Sequence, residues 1–173
     1  LYPGWWRDEE PKPHDAILCR FNAPLVRLAF ALLREGVPCR MAGRDELGST
    51  LKQLAKRGDS RTIDAVEARL QEWLADEIKI ARLRDKPARA NAAVDIVDTM
   101  QTLIERCRMK GQSGAADLIV EIESLFVKPK QPAVLLSSIH KAKGKEWPCV
   151  YWMQTTPRYR QPQEWQQRQE MNL

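Results

Sequence analysis

A strand–helix–strand pattern early in the chain constrains the fold more than any other feature of the sequence. Residues 15–20 form a short apolar run typical of a buried strand, and residues 38–42 repeat that pattern. Between them lies an apolar stripe at helical spacing, formed by Leu25, Leu28, Ala29, Leu32 and Leu33. Asn22 can cap this helix and Gly36 ends it. Two strands joined by a helix over so short a stretch form a βαβ unit, which predicts a parallel sheet covered by helices.

The rest of the chain divides into an all-helical middle and a return of strand character. Residues 60–127 carry three amphipathic stripes at helical spacing, separated by breaks at residues 85–87 and 110–114. Apolar strands are then predicted at residues 133–139 and 148–153. Two further helices are predicted, at residues 46–57 and from residue 162 onward. We therefore predict an α/β fold, in which an all-helical insertion interrupts a parallel sheet flanked by helices.

Length and composition indicate one globular domain, with or without a small insertion, because the chain has 173 residues. No apolar run approaches the roughly eighteen residues needed to cross a bilayer, and the start lacks the pattern of a signal peptide. Because Leu1 is not an initiator methionine, we expect a piece of a longer protein. The cysteines, at positions 19, 39, 107 and 149, are too far apart for a CxxC pair. Their spacing favours reduced thiols in a cytoplasmic protein over a disulfide framework or a metal site.

The positive charge is concentrated in two segments of the sequence. Residues 15–57 hold eight Lys or Arg against four Asp or Glu, and residues 128–160 hold seven against one. Residues 61–110, which lie between them, are nearly neutral, with ten against nine. A polyanion such as nucleic acid is a reasonable partner for the two basic segments. On charge alone, an ordinary solvated basic surface remains the alternative.

The densest group of polar side chains lies between the last two predicted strands. Its sequence, at residues 137–148, is Ser-Ser-Ile-His-Lys-Ala-Lys-Gly-Lys-Glu-Trp-Pro. Loops at the carboxyl ends of parallel strands are where open α/β sheets bind ligands. Ser138 and His140 can each hydrogen-bond a phosphate oxygen, and Gly144 permits a tight turn that brings backbone N–H groups close to a ligand. Glu146 would repel a phosphate, so we expect its partner to be a sugar hydroxyl or a cation.

Two other interpretations of this segment fail on its own residues. The Lys-Gly-Lys at residues 143–145 resembles the end of a phosphate-binding P-loop, but that motif needs a glycine where Ile139 stands. Ser138, His140 and Glu146 could suggest a hydrolase triad, yet no nucleophile elbow surrounds the serine.

A known family shares this pattern. Residues 138–147, Ser-x-His-Lys-Ala-Lys-Gly-x-Glu-Trp, are similar to motif V of the UvrD/Rep-like superfamily 1 DNA helicases, usually Thr-x-His-x-x-Lys-Gly-x-Glu-Phe/Trp. Upstream, residues 16–23 resemble the Arg-x-Asn segment that opens the second RecA-like domain of these helicases, and residues 36–43 match its continuation. At the end of the chain, residues 169–173 resemble the run-up to motif VI.

The resemblance covers residues 16–57 and 133–173, and it implies a fold of the P-loop NTPase superfamily. The chain would be the second RecA-like domain, which is also called 2A. That domain would be discontinuous, consisting of residues 1–59 and 128–173. Residues 60–127 would then be a short helical insertion at the position where this family inserts its 2B subdomain.

The resemblance also implies roles for individual side chains. Contacts with single-stranded DNA would come from both segments, through Arg20, Asn22, Ser138, His140 and Lys143. Glu146 would hydrogen-bond the ribose of ATP, and Gly144 would shape the loop beside it. Lys145 departs from the leucine or phenylalanine that is usual in the family, so the packing of this loop can differ. Asn22 could instead be only a helix cap, and the two roles can coexist.

The implied function is that of an ATP-dependent DNA helicase or translocase, which uses ATP and Mg²⁺ and acts in DNA repair. Its first RecA-like domain would supply the P-loop lysine and the Mg²⁺-binding carboxylates, and it would be the main protein partner of this domain. No such residues occur here, so we expect no catalytic residue in this chain and no activity from it alone. Two alternatives stay open: the helicase-like half of a helicase–nuclease, and a DNA-binding or protein-docking module without motor function.

Overall fold

The centre of the fold is a sheet of four parallel strands. The computed structural model describes residues 11–57, 61–127 and 130–154. Within these ranges the strands are β1 (Ala16–Cys19), β2 (Cys39–Met41), β3 (Val134–Ser138) and β4 (Val150–Met153). Their order across the sheet is β2-β3-β1-β4, and each neighbouring pair is parallel. The predicted α/β fold with a parallel sheet is therefore confirmed.

Helices connect the strands and make up the middle of the chain. They are α1 (Asn22–Arg34), α2 (Ser49–Lys56), α3 (Ile63–Leu83), α4 (Pro87–Met109), α5 (Ala115–Ser124) and α6 (Ile139–Ala142). A π-helical turn, Arg44–Gly48, leads into α2. The side chain of Thr62 caps α3 by accepting a hydrogen bond from the Ala65 N–H at 3.3 Å, and Pro87 occupies the first turn of α4, where an N–H would lack a partner. The helix predicted from residue 162 onward lies outside the described residues.

Helix α1 is apolar on two sides and packs between the sheet and α4. Its first buried stripe consists of Leu25, Leu28, Ala29 and Leu32, and its second of Ala23, Val26 and the partly buried Phe30. The helix contacts β1, β2 and β3, and it also contacts α4. On the α4 side, the guanidinium carbon of Arg106 lies 4.0 Å from the centroid of the Phe30 ring. A helix with two apolar stripes buries both of them, and α1 does so against two different layers.

The three stripes predicted in the middle of the sequence correspond to α3, α4 and α5, so the helical structure of residues 61–127 is confirmed. Helices α3 and α4 pack along each other, and the Arg108 guanidinium in α4 forms an ion pair with Asp64 in α3 at 2.6 Å. Helix α5 packs against α2 and α4. Buried side chains of all three helices join those of the sheet in one apolar cluster. The assignment of residues 60–127 to a separate domain stays a prediction.

The two faces of the sheet are covered unequally. On the face toward α1, which we call the helix face, Ile17, Met41 and Leu136 are at most 4% exposed and belong to the apolar core. Strand side chains alternate between faces, so Val150 and Trp152 of β4 point to the other side, which we call the opposite face. These two side chains are 47% and 68% exposed. The opposite face is therefore partly open.

The connection from β3 to β4 crosses this opposite face. It begins with the four-residue helix α6 at the carboxyl end of β3. It ends at Cys149, whose carbonyl oxygen accepts a hydrogen bond from the Ala16 N–H at 3.0 Å, at the amino end of β1. On the way, Trp147 borders a cleft of about 230 Å³ together with Arg40 and Leu135, which belong to the opposite face. A crossover between parallel strands usually contains a long helix, and this one does not.

Candidate functional site

The two segments that resemble helicase motifs leave the sheet side by side. Strands β1 and β3 are parallel neighbours, and Cys19 at the end of β1 pairs with Ser138 at the end of β3. The segment with Arg20 and Asn22 therefore starts at the same edge of the sheet as α6, which carries His140. Helix α6 also packs against both strands. We call this the carboxyl edge, because all four strands end there.

A third connection, from β2 to α2, reaches the carboxyl edge and contacts α6. The Lys141 ammonium group forms an ion pair with the Glu46 carboxylate at 2.8 Å. The hydrogen bond from Lys141 and its positive charge lower the pKa of Glu46. The same ammonium group lies against Gly43, where a Cβ atom would collide with it, and Gly43 has a φ of 97°. The side chain of Lys141 therefore contacts the loop between β2 and α2 through both Glu46 and Gly43.

The chain after α6 makes the tight turn that Gly144 was predicted to permit. The Lys145 N–H donates a hydrogen bond to the Ala142 carbonyl oxygen at 3.0 Å. Lys143 has φ −55° and ψ 128°, and Gly144 has φ 76°. These angles are those of a type II turn, whose third residue needs a positive φ. The turn leaves Lys143 and Lys145 exposed, and within the described residues neither forms an ion pair.

Glu146 lies beyond this turn, in the part of the connection that returns along the opposite face. It is exposed, and the next residue, Trp147, already borders the cleft with Leu135. Gly144 thus lies in the turn near the carboxyl edge, whereas Glu146 lies on the way back to the amino end of β1. The assignment of Gly144 and Glu146 to ATP stays a prediction.

The two remaining candidate side chains of this segment, His140 and Ser138, differ in solvent exposure. His140 is exposed on α6 and can reach a ligand in solution. Ser138 is only 8% exposed, and it pairs with Cys19, whose side chain lies in the core of the helix face. A phosphate group therefore has much better access to His140 than to the Ser138 hydroxyl.

Arg20 is exposed at the carboxyl edge and keeps its charge available. Its guanidinium carbon lies 5.7 Å from the ring centroid of Phe21, a distance at which a cation–π contact is weakly attractive. In the described part of the chain Arg20 forms no ion pair. Arg20 therefore joins Lys143 and Lys145 as an uncompensated positive charge near the two loops.

The prediction that the Asn22 side chain caps α1 is wrong. The N-cap residue is Phe21, and the cap of α1 comes from Asp95 in α4. The Asp95 carboxylate accepts hydrogen bonds from the backbone N–H groups of Asn22 at 2.8 Å and of Ala23 at 2.9 Å. It accepts a third, also at 2.9 Å, from the side-chain amide of Asn22. Asn22 thus donates hydrogen bonds to the capping carboxylate of Asp95 and does not supply the cap itself.

Asp95 is the functional-site residue that reasoning from the sequence missed. Its side chain is 7% exposed, and burial raises its pKa, while the hydrogen bonds from Ala23 and Asn22 act in the opposite direction. No signal in the sequence marks it, because Asp95 lies on the polar side of its helix. At about 100° of rotation per residue, Asp95 shares a side with Thr99, whereas Val97 lies on the opposite, apolar side. A carboxylate at such a position is ordinarily expected to face solvent.

The described residues contain no group of three or more His, Cys, Asp or Glu side chains that could hold a metal ion. All four cysteines lie within the described residues, and none of them forms a disulfide. Burial raises the pKa of the Cys39 thiol to about 11, so this thiol is protonated at neutral pH. In the same described ranges, none of the helices has the length and apolar character that a membrane crossing requires.

Comparison of the chain with protein-family models, with curated proteins and with solved structures found no match in any of the three. The interpretation of the site therefore rests on its own residues and on their geometry.

Proposed function

We propose that this chain is part of the second RecA-like domain of an ATP-dependent DNA helicase or translocase, and that its carboxyl edge forms one wall of a groove for single-stranded DNA. One observation carries the proposal. The Cys19–Ser138 pairing brings two segments to the same edge, although more than a hundred positions separate them. Both segments independently resemble motifs of the same helicase family. The resemblance requires the two segments to lie close together, and β1 and β3 are adjacent in the sheet.

The chemistry of the edge fits a phosphate backbone. Three exposed cations, from Arg20, Lys143 and Lys145, lie on the two loops, and none of them forms an ion pair with another described residue. His140 and Asn22 add hydrogen-bond donors from an imidazole ring and a side-chain amide. Phosphate contacts of this kind position a strand without reading its sequence, which is what a translocating enzyme requires.

The ATP side of the proposal depends on a partner domain. Gly144 and Glu146 would contribute to a nucleotide site whose P-loop and Mg²⁺ ligands come from the first RecA-like domain of the same protein. Phosphoryl transfer needs positive charge placed around the γ-phosphate, and one wall of the cleft cannot supply it. The isolated chain would then bind DNA weakly and would not turn over ATP.

Fluorescence anisotropy with a labelled single-stranded oligonucleotide tests the proposal. With about three phosphate contacts, the logarithm of the binding constant should fall with the logarithm of salt concentration with a slope of roughly −2. His140→Ala and Asn22→Ala should each weaken binding by about 1 kcal/mol, since each removes one hydrogen bond to a charged group. Lys143→Ala should also make the salt slope shallower by about 0.7.

Lys79→Ala is the matched control for Lys143→Ala, because Lys79 is an exposed lysine on α3, within the nearly neutral middle of the chain. It changes the net charge equally and should leave the salt slope of the wild type unchanged. Equal effects of the two lysine variants would show that the carboxyl edge is an ordinary basic surface. Normal binding by both His140→Ala and Asn22→Ala would show the same.

A further inference from the structure

The cap on α1 comes from a distant part of the chain, and this is unusual for a helix. The first N–H groups of a helix lack partners within it, and a Ser, Thr, Asp or Asn at the N-cap position normally supplies an acceptor. Phe21 holds that position with extended backbone angles and has no acceptor in its side chain. Asp95, which is 73 residues after Asn22, supplies the acceptor instead. The start of α1 therefore depends on α4.

Asp95 is buried in the part of α4 that packs against α1. The residue is 7% exposed, and the Thr99 hydroxyl, one turn later, donates a hydrogen bond to the Asp95 carbonyl oxygen at 2.7 Å. A second contact between the same two helices joins Arg27 to Thr102, with the Arg27 Nε–H donating to the hydroxyl at 3.1 Å. The Asp95 carboxylate therefore lies where α4 packs against α1.

Three donors converge on this carboxylate, and only two of them belong to the helix backbone. The third is the Asn22 side chain, whose Nδ2 lies 2.9 Å from the same Oδ2 atom that accepts from the Asn22 backbone N–H. The orientation of the amide follows from this contact, because an amide oxygen facing the carboxylate would be repelled. One N–H of the amide is engaged by Asp95. The second N–H and the carbonyl oxygen form no hydrogen bond with the described residues, so they remain for another partner.

We infer that Asp95 is a positioning residue for DNA binding, and that it holds the Asn22 amide so that the second N–H can donate to a phosphate of the bound strand. The inference rests on the proposed function, and it assigns to the helical middle of the chain a direct part in shaping the groove. A purely structural cap would need only the two backbone hydrogen bonds. The additional contact with the amide also orients the Asn22 side chain at the carboxyl edge.

The sign of the expected effect distinguishes this role from long-range electrostatics. Asp95→Asn removes a negative charge, and this alone should strengthen binding to a polyanion. If Asp95 acts through Asn22, the same change should weaken binding by roughly fivefold, as expected for the loss of one hydrogen bond to a charged group. Glu105→Gln is the matched control, since Glu105 is an exposed carboxylate on the same helix. It should bind as tightly as the wild type or more tightly.

A double-mutant cycle in single-stranded DNA binding provides the test, at a temperature where circular dichroism shows every variant folded. Asp95→Asn and Asn22→Ala should each weaken binding, and the double variant should bind no more weakly than Asn22→Ala alone. The inference would be overturned if the losses of DNA affinity in the two single variants multiplied in the double variant. It would also be overturned if Asp95→Asn bound normally while Asn22→Ala bound weakly. Either result would leave the proposed function intact. Normal binding by Asn22→Ala would also overturn the inference, and normal binding by His140→Ala in addition would overturn the proposed function.

Wild-type protein gives a second readout, which holds even if Asp95→Asn does not fold. In nuclear magnetic resonance spectra of the free protein, the Asn22 side-chain amide proton that is bonded to Asp95 should exchange with water more slowly than the other proton of the same amide. Addition of the oligonucleotide should then shift mainly the other proton. Equal movement of both protons, or of neither, would contradict a positioning role.

Discussion

Two loops meet at the carboxyl edge of the sheet, and they are held in different ways. The segment with Asn22 is fixed by a buried carboxylate from α4, through three hydrogen bonds of 2.8 to 2.9 Å. The segment with His140 and Gly144 is held by its own type II turn and by the ion pair of the exposed Glu46 with Lys141. The position of the first loop therefore depends on tertiary packing, and that of the second mainly on local sequence.

This difference has a consequence for the proposed groove, in which the bound strand would move. A segment with few buried contacts can change conformation at low free energy, whereas a buried network resists such a change. In the proposed groove, the loop with Asn22 would then be the fixed part of the wall, and the loop with His140 would be the part that can adjust. Changes in the helical middle should disturb the first loop, and changes in the turn should disturb the second.

The largest expected effect comes from the packing that supports the first loop. Met100 in α4 is fully buried in the shared core. Met100→Ala should destabilise the protein by about 2–5 kcal/mol, because it removes apolar contacts and leaves a cavity. Urea denaturation followed by circular dichroism should show one transition at a lower midpoint, since α4 and the sheet share that core. Met109→Ala is the control on the same helix; Met109 is 80% exposed, and its loss should cost less than about 0.5 kcal/mol.

A separate early transition of the helical middle, with the remainder of the chain unfolding at the midpoint of the wild type, would contradict the dependence of the first loop on α4. It would instead support residues 60–127 as an independent domain.

An intermediate effect is expected at the turn of the second loop. Gly144 and Gly36 have φ angles of 76° and 81°, and a Cβ atom at either would meet nothing within 4 Å. Alanine at each should therefore cost a similar amount, about 1–2 kcal/mol, through backbone strain alone. Only Gly144→Ala should also weaken DNA binding, because Gly36 follows α1 at its far end. Comparable loss of affinity in both variants would show that the turn has no specific role.

The smallest effect is a difference in pH dependence between two carboxylates. The pKa of Asp95 is raised in the folded state, so its protonation favours folding. The stability of the wild type relative to Asp95→Asn should fall as pH rises from about 4, the unfolded pKa of aspartate, through the raised folded pKa. The pKa of Glu46 is lowered, so the stability of the wild type relative to Glu46→Gln should fall as pH drops below about 4.3. Thermal unfolding of the three proteins between pH 3 and pH 7 would measure how each stability difference from the wild type changes with pH. If both differences changed in the same direction, one of the two carboxylates would be wrongly placed.

What could be predicted from the sequence depended on local patterns. The strands and helices follow from apolar spacing, and the type II turn follows from a glycine at residue 144. The rule that parallel strands end at one edge was enough to expect Asn22 and His140 near each other. The true ends of the strands differ by one or two residues from those predicted: Ile139 begins α6, Pro38 precedes β2, and β4 begins at Val150.

The remaining features depend on contacts between distant residues. Asn22 has the side chain of a helix cap, and nothing near it in sequence shows that Asp95 takes that role. The ion pair between Lys141 and Glu46 joins two loops that are far apart along the chain. The path of the β3–β4 connection was also missed, since its short helix gives no amphipathic stripe that would indicate the opposite face. Pairings of this kind require the three-dimensional structure.

The central claim is that the two loops form one surface for single-stranded DNA, and backbone amide shifts measure this most directly. In a titration of the isotope-labelled chain with an unlabelled oligonucleotide, the amides of residues 20–23 and 139–145 should shift together. All of them should fit a single dissociation constant that weakens with salt. Shifts confined to one of the two segments, or centred on Trp147 and the cleft of the opposite face, would contradict the claim.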